Sequence, residues 1–385
     1  MRYLLNFYNQ TAAGPITLTR TFINTLFSEI KNNQNQFEII LPNIPAYKDL
    51  RLKRGKKKNM NIIFLSYLSG IGRFMLLFLY NFIIFPLLAL LFHPKAILSF
   101  GNFAPLPLIS KKIVLMHHSY LVDDELLAEA GFKTKFIEHI KRIIFLLTTR
   151  TSNSIVVETD YIKKMIIKKY NVSENVINVI ANPLSKPLCE STLKNLEEGR
   201  IPHEMRRFVL YVSRYALHKN YAFLLDLVDK HRNKFQDTGV KFYITVDPNL
   251  NSKAAEYIQE IKSRNLNTII KNLGEISHKE LKDYYKKALC LFFPSKSETC
   301  GLPLIEAMAF GLPIVVPDLF YVRDICEEAA LYYKPTEIDD AFQKIWSLFQ
   351  EESLWRKYSN KSIKQFNKYP TAKEWVKKYL NLLKN

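Results

Sequence analysis

No cysteine pair in this chain is spaced for a metal or a redox centre. The 4 cysteines, Cys189, Cys290, Cys300 and Cys326, form no C-x-x-C and no Cys/His set, which excludes zinc-ribbon and thioredoxin-type chemistry on spacing. Cys290 falls within a strand pattern, and a reduced cytosolic compartment is the expectation. An Asp-x-Asp triplet, the short way to hold a divalent metal, is also missing. No secretory leader is expected, because Met1-Arg-Tyr-Leu-Leu-Asn-Phe7 reads as a first strand without a cleavage site, and the glycosylation-like triplets at Asn9, Asn171 and Asn360 are then expected to be chance matches. Acidic residues are in deficit, with 36 Asp and Glu against 55 Lys and Arg, a formal net charge of +19. That balance asks for an anionic partner: nucleic acid, an anionic membrane surface, or phosphorylated lipids and sugars. The cations are spread over many predicted helices and no aromatic-basic reader motif is present, so nucleic acid is not expected.

What is present describes a globular chain. Its 385 residues suffice for two domains with sizeable cores, and 48% apolar with 24% charged residues exclude disorder. The most informative stretch is 294–317. Ala288–Phe293 is continuously apolar, as in a strand covered on both faces of a parallel sheet. Pro294 ends it, the polar loop 295–302 follows, Pro303 suits a first helical position, and Gly311-Leu-Pro313 closes the helix before the apolar run Ile314–Val316. In a strand, loop, helix, strand unit, ligands sit at the carboxyl end of the strand and the amino end of the helix. Glu298 is expected on that loop and Glu306 in the first helical turn. A carboxylate there accepts from the vicinal hydroxyls of a sugar, while the amides of Cys300, Gly301 and Leu302 serve other oxygens. Dipole capping is the alternative for either acid.

A second cluster precedes it. Arg207–Ser213 reads as an apolar strand whose carboxyl end delivers Arg214 and Lys219, two cations placed to neutralise a diphosphate. Taken together, Ser295-x-x-Glu298-x-x-Gly301-Leu-Pro-x-x-Glu306-Ala-Met-Ala-x-Gly-x-Pro313 and the strand with Arg214 and Lys219-Asn220 resemble family 4 of the retaining, nucleotide-sugar-dependent glycosyltransferases. The resemblance runs through most of the carboxyl half. It implies an α/β chain of the GT-B type, two Rossmann-like domains facing each other across a cleft, with a carboxyl-terminal helix returning to the first. It also implies the roles: Arg214 and Lys219 on the diphosphate, Glu298 on sugar hydroxyls with the amides of Cys300, Gly301 and Leu302, Glu306 on the ribose. A nucleotide-diphosphate sugar donor and a glycan or lipid-linked acceptor follow, with no metal and no cofactor. Two departures stand out. Cys300 replaces the family's usual Phe, and Val246-Asp-Pro-Asn249 stands where a Gly-x-Gly is common. A GT-B epimerase and a basic nucleic-acid-binding protein are the alternative classes.

The amino half alternates more weakly. Tyr3–Tyr8, Phe37–Leu41, Ile62–Ser66, Ala96–Ser99 and Lys112–Met116 read as strands, with a helix over Thr17–Lys31. Gly14, in the loop 9–15, would let a phosphate approach the backbone. The strand ending at Met116 delivers His117 and His118. By resemblance one of them lies near the transferred sugar; His117 aligns with it, and His118 is one residue away. Ser154–Val157, a helix Asp160–Lys169 and Val176–Ile180 complete the domain. The expected division is 1–182 for acceptor binding, 183–206 as linker, 207–365 for the nucleotide-sugar, and 366–385 as a helix packing on the first domain. Phe74–Phe92 is uncharged and long enough for a span. A span would separate the first three strands from the rest of their sheet, and Pro86 is expected to interrupt the helix. A buried or membrane-docked helix is the reading, with Arg51–Lys58 meeting anionic head groups at the inner face of the cytoplasmic membrane.

Overall fold

The computed structural model describes residues 1–30, 35–52, 55, 58–67, 76, 79–104, 110–184 and 201–384. The chain divides into two compact units, Met1–Ser185 with Pro370–Asn385, and Lys186–Tyr369. Most of the expected linker, with Pro187 and Cys189, lies outside the described residues, as do most of the lysines of Arg51–Lys58 and the first part of Phe74–Phe92.

The first unit is a parallel sheet of β1 (Arg2–Asn6), β2 (Gln36–Pro42), β3 (Met60–Leu65), β4 (Ala96–Phe100), β5 (Lys111–Leu115), β6 (Ser154–Val157) and β7 (Ile177–Val179). Its order is β3-β2-β1-β4-β5-β6-β7. Direction reverses between β1 and β4, the switch point at which doubly wound sheets open a crevice. The inner strands β1, β2, β4, β5 and β6 are nearly continuously buried, while the edge strands β3 and β7 are only partly so. The helix Ala13–Glu29 begins earlier than its apolar pattern suggests, taking Gly14 and Pro15 into its first turn. The closing helix, Ala372–Lys384, buries Trp375 and Tyr379 against Phe22 and Phe100 of the same unit.

Pro86 does not break its helix, contrary to expectation. Tyr80–Ile84 forms a π-helical turn that runs directly into the α-helix Phe85–Phe92, so Pro86 falls in that helix's first turn, where a missing N–H leaves no bond unmade. No helix among the described residues is long and apolar enough to cross a membrane.

The second unit repeats the design with β8 (Phe208–Tyr211), β9 (Lys241–Ile244), β10 (Ile270–Asn272), β11 (Cys290–Phe292), β12 (Ile314–Pro317) and β13 (Ala330–Tyr333). All pairs are parallel, in the order β10-β9-β8-β11-β12-β13. The switch point here lies between β8 and β11, the two strands that carry the candidate site. The helix Leu302–Ala309 follows β11 and buries Leu304, Ile305, Ala307 and Met308. Gly311 ends it in the left-handed region (φ 60°), with its N–H bonded to Met308 O at 3.0 Å and that of Leu312 to Ala307 O at 2.9 Å, a Schellman closure that uses up the last carbonyls.

Candidate functional site

β8 and β11 are hydrogen-bonded neighbours, and both end at the same edge of the sheet. Past β8 the chain makes a short turn, Leu217–Lys219. Past β11 it enters the loop 293–301, and the two loops are stitched together. Lys296 N donates to His218 O at 2.7 Å, and Ser295 Oγ lies 3.1 Å from the same oxygen. The Tyr211 hydroxyl donates to Lys219 O, fixing the turn on its own strand, and the Tyr321 hydroxyl donates to Ser295 O from the helix Phe320–Cys326.

That stitching brings Lys219 to Glu298. Lys219 Nζ is hydrogen-bonded to Glu298 Oε1, which also accepts from Ser295 Oγ at 2.7 Å. The side chains are 16% and 13% exposed, so the pair is largely withdrawn from water. Burial alone would raise the Glu298 carboxyl; the charges of Lys219 and His218 and the hydrogen bonds from Lys219 and Ser295 hold it below the usual carboxylate range. Lys219 also lies 5.4 Å from the centre of the Phe293 ring. Arg214, three residues beyond β8, is exposed and makes no ion pair among the described residues. A bound anion at this edge would therefore meet one cation already matched by a carboxylate and one that is not.

Gly301 caps the helix Leu302–Ala309 with φ 62° and, as a glycine, supplies no side-chain cap to its first turn. The left-handed φ favours glycine there, and a Cβ on Gly301 would stand 2.9 Å from Leu304 Cδ1, a side-chain end that would have to shift. Cys300 is buried and free of any disulfide.

Glu306 is not in the first helical turn as expected, because the helix starts at Leu302 and carries no acid there. It lies a turn deeper and is buried, with Oε2 accepting from the Tyr285 hydroxyl at 2.8 Å and His278 Nε2 3.9 Å from Oε1. Burial, only partly offset by that hydroxyl, pushes its carboxyl up to about 7. Dipole capping is thereby withdrawn as the alternative for Glu306.

In the first unit, His117 and His118 follow β5 but have different surroundings. His118 Nε2 donates to Glu138 Oε2 at 2.8 Å, and Lys141 Nζ to Glu138 Oε1 at 2.7 Å. Against the burial of that carboxyl, these partners hold it down to about 2. His117 is placed by its backbone, whose N–H donates to Asn102 Oδ1 at 2.8 Å. Burial first, and the neighbouring His118 second, push its imidazole down to about 4. Gly14 sits in the first turn of Ala13–Glu29 with an ordinary φ. The close approach at the switch point of this sheet is made instead by Gly101 (φ 132°), where a Cβ would stand 2.6 Å from Asn9 Cβ.

Sequence reasoning did not single out Tyr211, Tyr285, Tyr321 or His218. Their hydroxyls and carbonyl hold the charged groups in place, and a tyrosine on a strand or helix carries no local signal of that. Ser295 was legible only as the first letter of the motif. Where the Gly-x-Gly is replaced, Asn272 takes over the turn: its Oδ1 accepts from Val246 N at 3.0 Å and its Nδ2 donates to Val246 O at 2.9 Å.

Residues 194–365 match the family model described as glycosyl transferases group 1. Among curated relatives, the O-antigen chain mannosyltransferase RfbU of Salmonella typhimurium is 24% identical over 253 residues, 63% of this chain and 64% of its own length. The chain therefore aligns with less than two thirds of that relative. Among solved structures, HepE of Anabaena in complex with UDP and glucose superposes with a TM-score of 0.71 at 13% identity, covering 100% of this chain and 99% of that one. WaaG, a glycosyltransferase involved in lipopolysaccharide biosynthesis, gives 0.70 at 11%, again over 100% and 99%. The chain thus has the GT-B fold, and its segment 194–365 carries the glycosyl transferases group 1 match that supports a glycosyltransferase.

Proposed function

We propose that this protein transfers a hexose-type sugar from a nucleotide-diphosphate sugar to a glycan or lipid-linked acceptor with retention, in the biosynthesis of a bacterial surface polysaccharide or lipopolysaccharide. The observation that carries the reading is the Lys219–Glu298 pair at the β8/β11 switch point, with Arg214 exposed and unpaired among the described residues beside it. Incoming donor would separate the pair's duties. Lys219 and Arg214 would turn to the diphosphate and stabilise the charge that grows on it as the glycosidic bond opens, a preorganised electrostatic role in place of a metal. Glu298 would accept from sugar hydroxyls and so fix which face of the anomeric carbon meets the acceptor, through an oxocarbenium-like state. The backbone amides of Cys300, Gly301 and Leu302 at the helix start would serve the sugar's oxygens beside Glu298. Glu306 would take the ribose hydroxyls, and His117 would lie toward the sugar, with His118 held by Glu138. The setting rests on what relatives are: an O-antigen mannosyltransferase by sequence and a lipopolysaccharide glycosyltransferase by fold.

A screen of nucleotide-sugars for hydrolysis, and for transfer to lipid extracts, tests the reading and names the sugar. Thermal stabilisation by a nucleoside diphosphate but not by short DNA or RNA supports it; stabilisation by nucleic acid alone would sink it.

A further inference from the structure

The first unit exposes apolar side chains on two helices that share one face of its sheet. The register places Leu4 beside Ile97, Ile97 beside Lys112, and Val114 beside Ile155, so these residues point to the same side. Phe85–Phe92 packs on that side through Phe85 and Ala89 against Leu4, Ile40 and Ile97. Phe132–Thr151 packs there through Phe145 against Ile155 and Val157.

Their outward faces are not those of ordinary surface helices. On Phe132–Thr151, Phe132 is 86% exposed, Phe136 61%, Ile143 62% and Leu147 44%. With Leu146 they fall within about 100° of helical arc, an apolar stripe turned to solvent and interrupted by the exposed His139, while Phe145 and Thr148 face the sheet. The neighbouring helix Phe85–Phe92 holds no charge, and Leu87, Leu90 and Leu91 are exposed on it. A stripe of this kind marks an interaction surface. Cations border it: Lys133, Lys135 and Arg150 lie on the same helix, whose one acid, Glu138, is buried between His118 and Lys141.

We propose that this face of the first unit docks on an anionic lipid bilayer, the Phe132–Leu147 stripe entering the boundary between head groups and acyl chains while Lys133, Lys135 and Arg150 meet the phosphates. The occupant is argued from charge complementarity. A bilayer offers hydrocarbon at one depth and anionic phosphate at another, which is the arrangement of stripe and border here, and the chain as a whole carries a net charge of +19. This locates docking on Phe132–Thr151 and Phe85–Phe92, with cations supplied by the former helix and not by Arg51–Lys58 alone. It rests on no part of the transfer reading, since vesicle binding is measured with neither sugar donor nor acceptor present.

Flotation of the full chain with phosphatidylcholine vesicles, with and without phosphatidylglycerol, is the test. Binding is expected to need the anionic lipid and to fall with salt. Phe132→Ser and Phe136→Ser are each expected to weaken it roughly tenfold, with melting temperature and nucleoside-diphosphate stabilisation unchanged. The conservative probe Phe136→Trp is expected to show a blue-shifted emission quenched by brominated acyl chains. Undiminished binding by the double serine variant, or an indole emission from the Phe136→Trp variant that is indifferent to vesicles, overturns the proposal. So does a wild-type dimer in lipid-free sedimentation that the serine variants convert to monomer, because the stripe would then be a self-association face.

Discussion

Lys219 and Glu298 hydrogen-bond to each other across two loops that leave the sheet at neighbouring strands, β8 and β11. Each is the other's principal neutralising group in a largely buried setting. Removing one therefore does two things, ending the pair's service to a ligand and stranding a charge away from water.

The first prediction separates these effects. Lys219→Met and Glu298→Leu should each lose about 3 kcal/mol of unfolding free energy. The double variant should regain most of it, because no charge is left unpaired, yet remain without transfer activity. Urea unfolding of the four proteins gives the coupling, and additive losses would contradict the pairing.

Arg214 should behave differently. It is exposed and makes no ion pair among the described residues, so Arg214→Ala is expected to leave unfolding unchanged within about 0.5 kcal/mol. Transfer should fall by about 10²-fold or more if the guanidinium stabilises the leaving diphosphate. Arg214→Lys should restore it only in part, since an ammonium offers no fork. Steady-state kinetics beside a denaturation curve decide the matter.

Glu306 supplies the pH dependence. Its carboxyl, raised from 4.5 to about 7, keeps a proton in the folded state that the unfolded chain has already released. The stability this contributes is fully present below about pH 4.5 and is lost as pH rises through 7, by about 3 kcal/mol in all. Ribose hydroxyls donate to the ionised form, so nucleotide binding should strengthen between about pH 6 and 8 and release a proton. Calorimetry in buffers of different ionisation enthalpy measures that release, and Glu306→Gln should abolish it.

The two histidines predict opposite phenotypes. His118→Ala removes a partner of the buried Glu138 and should destabilise by about 2 kcal/mol. His117→Ala breaks no side-chain bond found among the described residues, so it should leave stability nearly unchanged while lowering transfer. If His118→Ala alone impairs turnover at unchanged stability, the assignment of His117 is wrong.

Gly301→Ala probes the helix start. With φ 62° and Leu304 Cδ1 2.9 Å from where a Cβ would stand, the substitution should cost about 1–2 kcal/mol. It should also weaken nucleoside-diphosphate stabilisation, because the first-turn amides move with the cap.

Local patterning was enough to mark most strands of both sheets, since a strand covered on both faces must be continuously apolar wherever it sits. The motif around Glu298 and Glu306 was likewise legible, because a loop, a helix start and a glycine closure are set by neighbours in sequence. Helix starts were less so: Ala13–Glu29 begins ahead of its apolar stripe, and Leu302 precedes Pro303, which moved Glu306 out of the first turn and into the interior. Pro86 was misread because the preceding π turn, which removes the conflict, has no sequence signature.

Short windows of residues thus sufficed for the parallel α/β class, the two candidate clusters and the chemistry of their side chains. It took the packed chain to show that Lys219 meets Glu298, that Tyr285 holds Glu306, and that Glu138 claims His118 and not His117. Those contacts join residues far apart in the chain, and their electrostatics depend on how much water the fold removes. Nor does a sequence pattern show which side of Phe132–Thr151 faces the sheet. The helix is apolar on both its inward and outward flanks, and only packing against β6 distinguishes the side that is buried from the side left to be covered.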